Sequence, residues 1–219
     1  MNPDNNSLSR TFFIGGPPRV GKTTLAYLLA KEINGHVVST DAIRNAVKKA
    51  YSKKTGPLFM INDYNKLGDE ELIKRFKFSP HLVVDDQVAE SEVLFPSITS
   101  FCNAFCEDKE HHIVEGVALV PKLIAKMEYP PKHIIFIGNT SQHLAENMIT
   151  YGKLHPSVCW MSALGYGEEK IRAYGVYINE LSNYFKTEAE KYNYSYIEMS
   201  ESSHETSLQD VLKKLLKKS

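Results

Sequence analysis

The residues best suited to chemistry stand early in the chain. Gly16-Pro17-Pro18-Arg19-Val20-Gly21-Lys22-Thr23 meets the spacing G-x-x-x-x-G-K-[ST] at every fixed position. An apolar run precedes it and a helical pattern follows. Glycine loses more conformational entropy on folding than any other residue, and proline donates no backbone hydrogen bond, so packing alone gives no reason for such a loop. Anion recognition gives one. Glycines let successive backbone amides turn inward around phosphate oxygens, and the next helix adds the positive end of its dipole. In that arrangement Lys22 bridges the β- and γ-phosphates of a nucleoside triphosphate, the Thr23 hydroxyl ligates Mg²⁺, and Thr24 touches the α-phosphate. The cofactors expected are therefore ATP and Mg²⁺. The plain alternative is a Gly/Pro-rich turn that happens to precede a helix, and the strand–loop–helix context argues against it.

Two further groups fit the same chemistry. In "VVSTDAIRNAVKK", Asp41 and Arg44 are three residues apart on the first turn of a helix, which puts carboxylate and guanidinium on one face. The position is the C-terminal edge of a sheet, where open α/β sheets bind ligands. Asp41 can accept the proton of an acceptor hydroxyl, and Arg44 can hold an anionic acceptor bidentately. The alternative is a helix cap by Asp41 with an i,i+3 ion pair. In "HHIVEGV", Glu115 ends a buried strand, the usual place for a carboxylate that holds the Mg²⁺ shell or orients the acceptor. "HLVVDD" competes, because Asp85 and Asp86 also end an apolar run. Helical periodicity starts directly after them, so the pair reads as an N-cap with an acidic first turn.

These residues need elements to hold them. Apolar runs at "RTFFI", "HVVST", "HHIVEGV", "KHIIFIG" and "YSYIEM" read as strands, separated by helical patterns. Strictly alternating strands and helices imply a three-layer αβα fold with a doubly wound, mainly parallel five-stranded sheet. Residues 1–10 are polar and expected to be disordered, and 11–219 form one domain. Within it, 52–79 reads as a mobile substrate-side segment and about 140–165 as a helical lid insertion. "DQVAESEVLFPSITSFCNAFCED" reads as helix with a kink at Pro96. Leu208, Val211, Leu212, Leu215 and Leu216 form one stripe of a terminal helix, expected to dock on the sheet.

Composition limits the partners. The 219 residues carry 26 basic and 26 acidic side chains, so no general field draws the protein to nucleic acid or anionic lipid. No run approaches the ~20 apolar residues a membrane span requires. Three cysteines, with Cys102 and Cys106 one helical turn apart, read as buried thiols rather than a disulfide framework or metal site. A cytoplasmic protein meeting ATP and a small-molecule acceptor is expected, with no nucleic-acid or membrane partner.

Taken together, "GGPPRVGKTTLAYLLAKEI", "VVSTDAIR" and "IVEGVALVPKLI" resemble the phosphate loop, strand-end "STD-x-[IL]-R" and "EGV-x-LVP" segments of P-loop small-molecule kinases of the 2-phosphoglycerate kinase type, within the adenylate-kinase-like group. "EKIRAYGVYI" is similar to that family's helix after the lid. The resemblance spans roughly residues 12–198. It implies transfer of the ATP γ-phosphoryl group to a hydroxyl of a small, anionic molecule. By matching position, it implies Asp41 and Arg44 at the acceptor and Glu115 near the metal. The chain departs from the pattern twice. Ala118 stands where the family has His, and "SQHLAENMITYGKLHPSVCW" lacks the lid arginines. Lys153, Arg172 or Arg19 is expected to supply that charge. An arginine at such a place is worth ~10³–10⁵ in rate, so its loss raises a second reading: a regulatory or toxin-like nucleotide-binding module with weak or no kinase chemistry. A kinase of nucleosides or nucleic-acid ends is a third, weakened by the neutral charge. His143, Tyr151, His155 and Trp160 in the lid read as packing residues, with stacking on a base or acceptor as the alternative.

Overall fold

The computed structural model describes residues 8, 10–52, 55–64, 66–104, 110–199 and 204–216. Five strands, β1 (Thr11–Gly15), β2 (Gly35–Ser39), β3 (His111–Gly116), β4 (His133–Gly138) and β5 (Ser195–Glu198), form one sheet in the order β2-β3-β1-β4-β5. Every pairing is parallel. Parallel neighbours need crossovers, and helices supply them on both faces: α1 (Lys22–Ile33), α2 (Thr40–Ala50), α3 (Pro57–Tyr64), α4 (Asp69–Phe78), α5 (Pro80–Asn103), α6 (Pro121–Ile124), α7 (Leu144–Leu154), α8 (Trp160–Ala163), α9 (Glu168–Lys191) and α10 (His204–Leu216). Strands covered on both sides carry continuous apolar runs, and Phe12, Phe13, Ile14, Ile113, Val114, Phe136 and Ile137 are all sealed from water.

Several local expectations are corrected. Gly35 after "GKTTLAYLLAKEIN" reads as that helix's stop, but α1 ends on Asn34 in the left-handed conformation (φ 52°) and Gly35 opens β2. The cap of α2 is Ser39, whose hydroxyl accepts the Asp41 N–H at 3.2 Å, not Asp41 itself. Helix α5 begins at Pro80, and proline suits the first helical position because its missing N–H would have no partner there. Asp85 and Asp86 therefore lie inside α5, not at its cap. Among the described residues of 52–79, α3 and α4 bury Leu58, Phe59, Tyr64, Leu72 and Phe76. The Gly56-Pro57 and Gly68 breaks mark the two helix starts. Helix α10 buries Leu208, Val211, Leu212 and Leu215 against the core, and its packing partner is α1. Most of residues 1–10 and Cys106 lie outside the described residues. Leu8 is buried, and the Arg10 carbonyl takes the His112 N–H.

Register sets the site. Parallel strands bring their C-terminal ends to one edge, with Gly15 beside Gly116, and Ile14 and Ser39 both beside Glu115. The loops after β1, β2 and β3 therefore emerge together.

Candidate active site

The loop from Gly16 to Gly21 is shaped by its backbone. Gly16 has φ 138° and Gly21 has φ 95°, both in the region that favours glycine. A Cβ on Gly16 would sit 2.0 Å from the Ile137 carbonyl oxygen on β4. One on Gly15 would meet the Phe136 ring at 2.5 Å. The loop is thus pressed against the neighbouring strand, and only hydrogen fits. Arg19 also has positive φ, at 67°. The Lys22 ammonium donates to the Pro17 carbonyl. Burial pulls its pKa below the usual lysine range, with Glu115 and Asp41 opposing that shift.

Behind the loop, Thr23 Oγ1 donates to Glu115 Oε1 at 3.3 Å. Glu115 is 5% exposed, and burial raises its pKa, with Lys22 opposing, Asp41 adding, and the Thr23 and Ser39 hydroxyls opposing. Gly116 follows with φ 151°, and a Cβ there would lie 1.7 Å from Thr40 Oγ1. That glycine lets α2 begin directly against the end of β3. A hydroxyl and a buried carboxylate side by side form a hard oxygen pair of the kind Mg²⁺ takes.

A cavity of about 750 Å³ opens along this edge. Its walls include Pro18, Arg19, Gly21, Lys22, Thr23, Thr24, Asp41 and Glu115, so the structure brings most of the expected residues together. Gly16, Pro17 and Val20 are buried and do not line it. On the β4–β5 side the walls are Asn139, Leu144, Met148 and Met199. Sequence reading passed over these four, because an isolated Asn or Met at a strand end carries no pattern. Of the four aromatic residues singled out between β4 and α9, Tyr151 and Trp160 line the cavity, while His143 and His155 do not. The Arg19 guanidinium lies 5.1 Å above the Tyr151 ring.

Three expected cations are placed differently. Lys153 pairs with Glu168 at 2.7 Å, and Arg172 pairs with Glu146 and with Glu168. Neither residue reaches the cavity. Arg44, expected as an open clamp for an anion, binds Asp41 Oδ1 at 3.4 Å and Glu90 Oε2 at 3.7 Å. Glu90, on α5 and 1% exposed, also takes the Lys48 ammonium and the Gln87 amide. Sequence reading missed Glu90, since nothing in "VAESEVLF" says which helix α5 will face. Among the described residues lining the cavity, the cations are Arg19 and Lys22.

No family model and no curated protein matches the chain. Solved structures do. Shikimate kinase from Bacteroides thetaiotaomicron matches at 15% identity and TM-score 0.46, over 94% of this chain and 98% of that one. Deoxyadenosine kinase from M. mycoides with bound dATP matches at 12% and 0.44, over 94% and 99%. A tRNA isopentenylpyrophosphate transferase from Bacillus halodurans matches at 13% and 0.36, over 96% of each chain. The fold itself is plain from strand order and loop: a parallel α/β sheet with a phosphate-loop geometry at the end of β1. Among the described residues no helix is long and apolar enough to cross a membrane.

Proposed function

We propose that the protein is a Mg-ATP-dependent phosphotransferase acting on a hydroxyl group of a small molecule. One observation carries this reading: the strained glycine loop, Lys22, the Thr23–Glu115 pair and Asp41 all line one cavity at the carboxyl edge of the sheet. ATP and Mg²⁺ suit these residues, and when bound would supply the transferable phosphoryl group and the charge that offsets it. The loop amides and Lys22 would hold the phosphates, Thr23 and Glu115 the metal, and Thr24 the α-phosphate side. Asn139, Leu144, Met148 and Met199 give the base a partly apolar seat on the far side of β1. Asp41 faces the cavity with its side chain 57% exposed, ready to orient an acceptor hydroxyl and hold its proton at Oδ. Arg19 takes the part expected of a lid arginine, since Lys153 and Arg172 are bound elsewhere.

The chain's resemblance to kinases of the 2-phosphoglycerate type supports phosphoryl transfer to a metabolite alcohol. The second reading, a nucleotide-binding regulatory module, draws on the outward placement of Lys153 and Arg172. One experiment separates the two. Calorimetry with Mg²⁺ should show ATP uptake that K22M abolishes, and D41N should lower turnover on a responsive acceptor by about 10²–10⁴ while sparing ATP affinity. Tight ATP uptake without product from any hydroxyl compound would favour the regulatory module. Full activity in D41N would remove Asp41 from the mechanism.

A further inference from the structure

Resting on that reading, we propose that Asn147 is the residue that selects the nucleobase. Together with Asn139 it makes the nucleotide seat prefer adenine to guanine.

Strand order puts β3 and β2 on one side of the phosphate loop and β4 and β5 on the other. The two sides of the cavity differ in charge. Among the described residues lining it, the carboxylates are Asp41, just after β2, and Glu115 on β3. The β4–β5 side carries amides and apolar groups instead: Asn139, Leu144, Asn147, Met148 and Met199. One face of α7 supplies most of this wall, since Leu144, Asn147, Met148 and Tyr151 follow the spacing i, i+3, i+4, i+7. Tyr151 lies under the Arg19 guanidinium, so this end of the face meets the phosphate loop. Asn147 stands one turn back, about 6 Å along the helix axis. Leu144 begins the helix, its N–H bonded to the Ser141 carbonyl in the turn that leaves Asn139. Leu144, Met148 and Met199 are buried and form an apolar floor, while Asn147 is exposed, so a flat ligand on that floor can reach its amide.

Hydrogen-bond chemistry then separates the bases. Asn139 is held at two points: its N–H donates to Ser182 Oγ at 3.0 Å, and its Oδ1 accepts the Ser141 N–H at 2.9 Å. Its Nδ2 is left as a donor of fixed position. Glu198, the carboxylate that closes β5, accepts the Thr140 N–H at 3.0 Å and the Thr140 hydroxyl at 2.9 Å, and it does not line the cavity. Adenine alternates donor and acceptor, its 6-amino group standing beside ring nitrogens that accept. One amide answers both at once, as asparagine does on the N6 and N7 edge of adenine in DNA. Guanine sets two donors, N1–H and the 2-amino group, side by side, and a carboxylate is the group that answers both. Here a single amide oxygen faces them, and a donor left unpaired over an apolar floor is unfavourable.

Calorimetry with the Mg²⁺ complexes of non-hydrolysable ATP, GTP and ITP analogues tests this. Wild type should bind the adenine analogue with a Kd about tenfold or more below that of the guanine analogue. The ITP analogue lacks the 2-amino group and should bind more tightly than the guanine one. N147D exchanges the amide donor for a second acceptor, and its added charge acts on all three triphosphates alike, so the ratio of Kd values is the readout. That ratio should fall about tenfold or more, with the guanine analogue gaining on the adenine one. N147L, which keeps the bulk and removes both polar groups, should bring the ratio near one. Because Asn147 is exposed, thermal melts of both variants should match wild type. Guanine binding as tight as adenine in wild type overturns the proposal, and so does a ratio that neither variant moves. Nucleotide binding that K22M abolishes but that shows no base preference defeats this inference alone. Absence of Lys22-dependent binding defeats the phosphotransferase reading beneath it.

Discussion

Two regions beside the cavity are built by different means. The glycine loop is main chain: consecutive residues from Gly15 to Thr23, bent through positive φ at Gly16, Arg19 and Gly21 and pressed against β4. The neighbouring α2–α5 region is side chain: Asp41, Arg44 and Lys48 from α2 meet Gln87 and Glu90 from α5, and of these Asp41 lines the cavity. A main-chain site tolerates change in most side chains but none in its glycines. A side-chain site instead depends on how α2, α5 and α9 pack, and on charges that cancel within a buried cluster.

That contrast can be broken from either end. The largest effect is expected from G16A. Its methyl group would overlap a carbonyl oxygen that β4 holds in place, at a φ that alanine rarely adopts. Nucleotide binding should vanish and stability should fall by more than about 3 kcal/mol in a denaturant melt. A normal melt with full ATP affinity would show that the loop is not built as described. K48M should come next. It leaves Glu90 buried with Arg44 as its remaining cation, so the loss should be below the about 3–5 kcal/mol of a pair broken outright. Nucleotide affinity should hardly change. The double variant K48M/E90M should recover part of that stability, since an apolar pair of similar bulk avoids desolvating charge; no recovery would mean Lys48 acts through packing alone.

A smaller effect is expected at Tyr64, whose hydroxyl donates to Asp86 on α5 and sits beside Arg75. Burial and the Asp86 hydrogen bond push its pKa up to about 12 from the ordinary 10. The folded state therefore keeps this proton where the unfolded chain loses it. Its contribution to stability is complete below pH 10 and is lost as pH rises toward about 12. In Y64F the fall in stability between those pH values should be shallower than in wild type. Parallel curves would show that Asp86 does not hold this hydroxyl. Tyr64 does not line the cavity, so ATP affinity should be unaffected in Y64F.

Legibility followed the same division. The residue order "GGPPRVGKTT" announces the loop because glycines are demanded at fixed spacings by backbone geometry. Glu115 was readable because a carboxylate closing an apolar strand has few other uses. Arg44 misled, since its place on α2 was clear while its partner lay 46 residues away on another helix. Lys153 misled for the same reason, whereas Arg172 also pairs with Glu168 one turn earlier on its own helix. The pairs Lys153–Glu168 and Arg172–Glu146 form only when α7 packs on α9.

By itself the amino-acid order determined the alternation of strands and helices, the phosphate loop between the first pair, and the carboxylates at the ends of β2 and β3. These rest on local rules: periodicity, backbone conformation and the chain direction of parallel strands. Tertiary structure alone decided that α5 would bring Glu90 to Arg44 and Lys48, and that Trp160 would stand edge-on to Tyr174. Ion pairs and ring contacts between distant segments depend on distances that appear only after helices pack, and a buried charge takes whichever partner the fold places within reach.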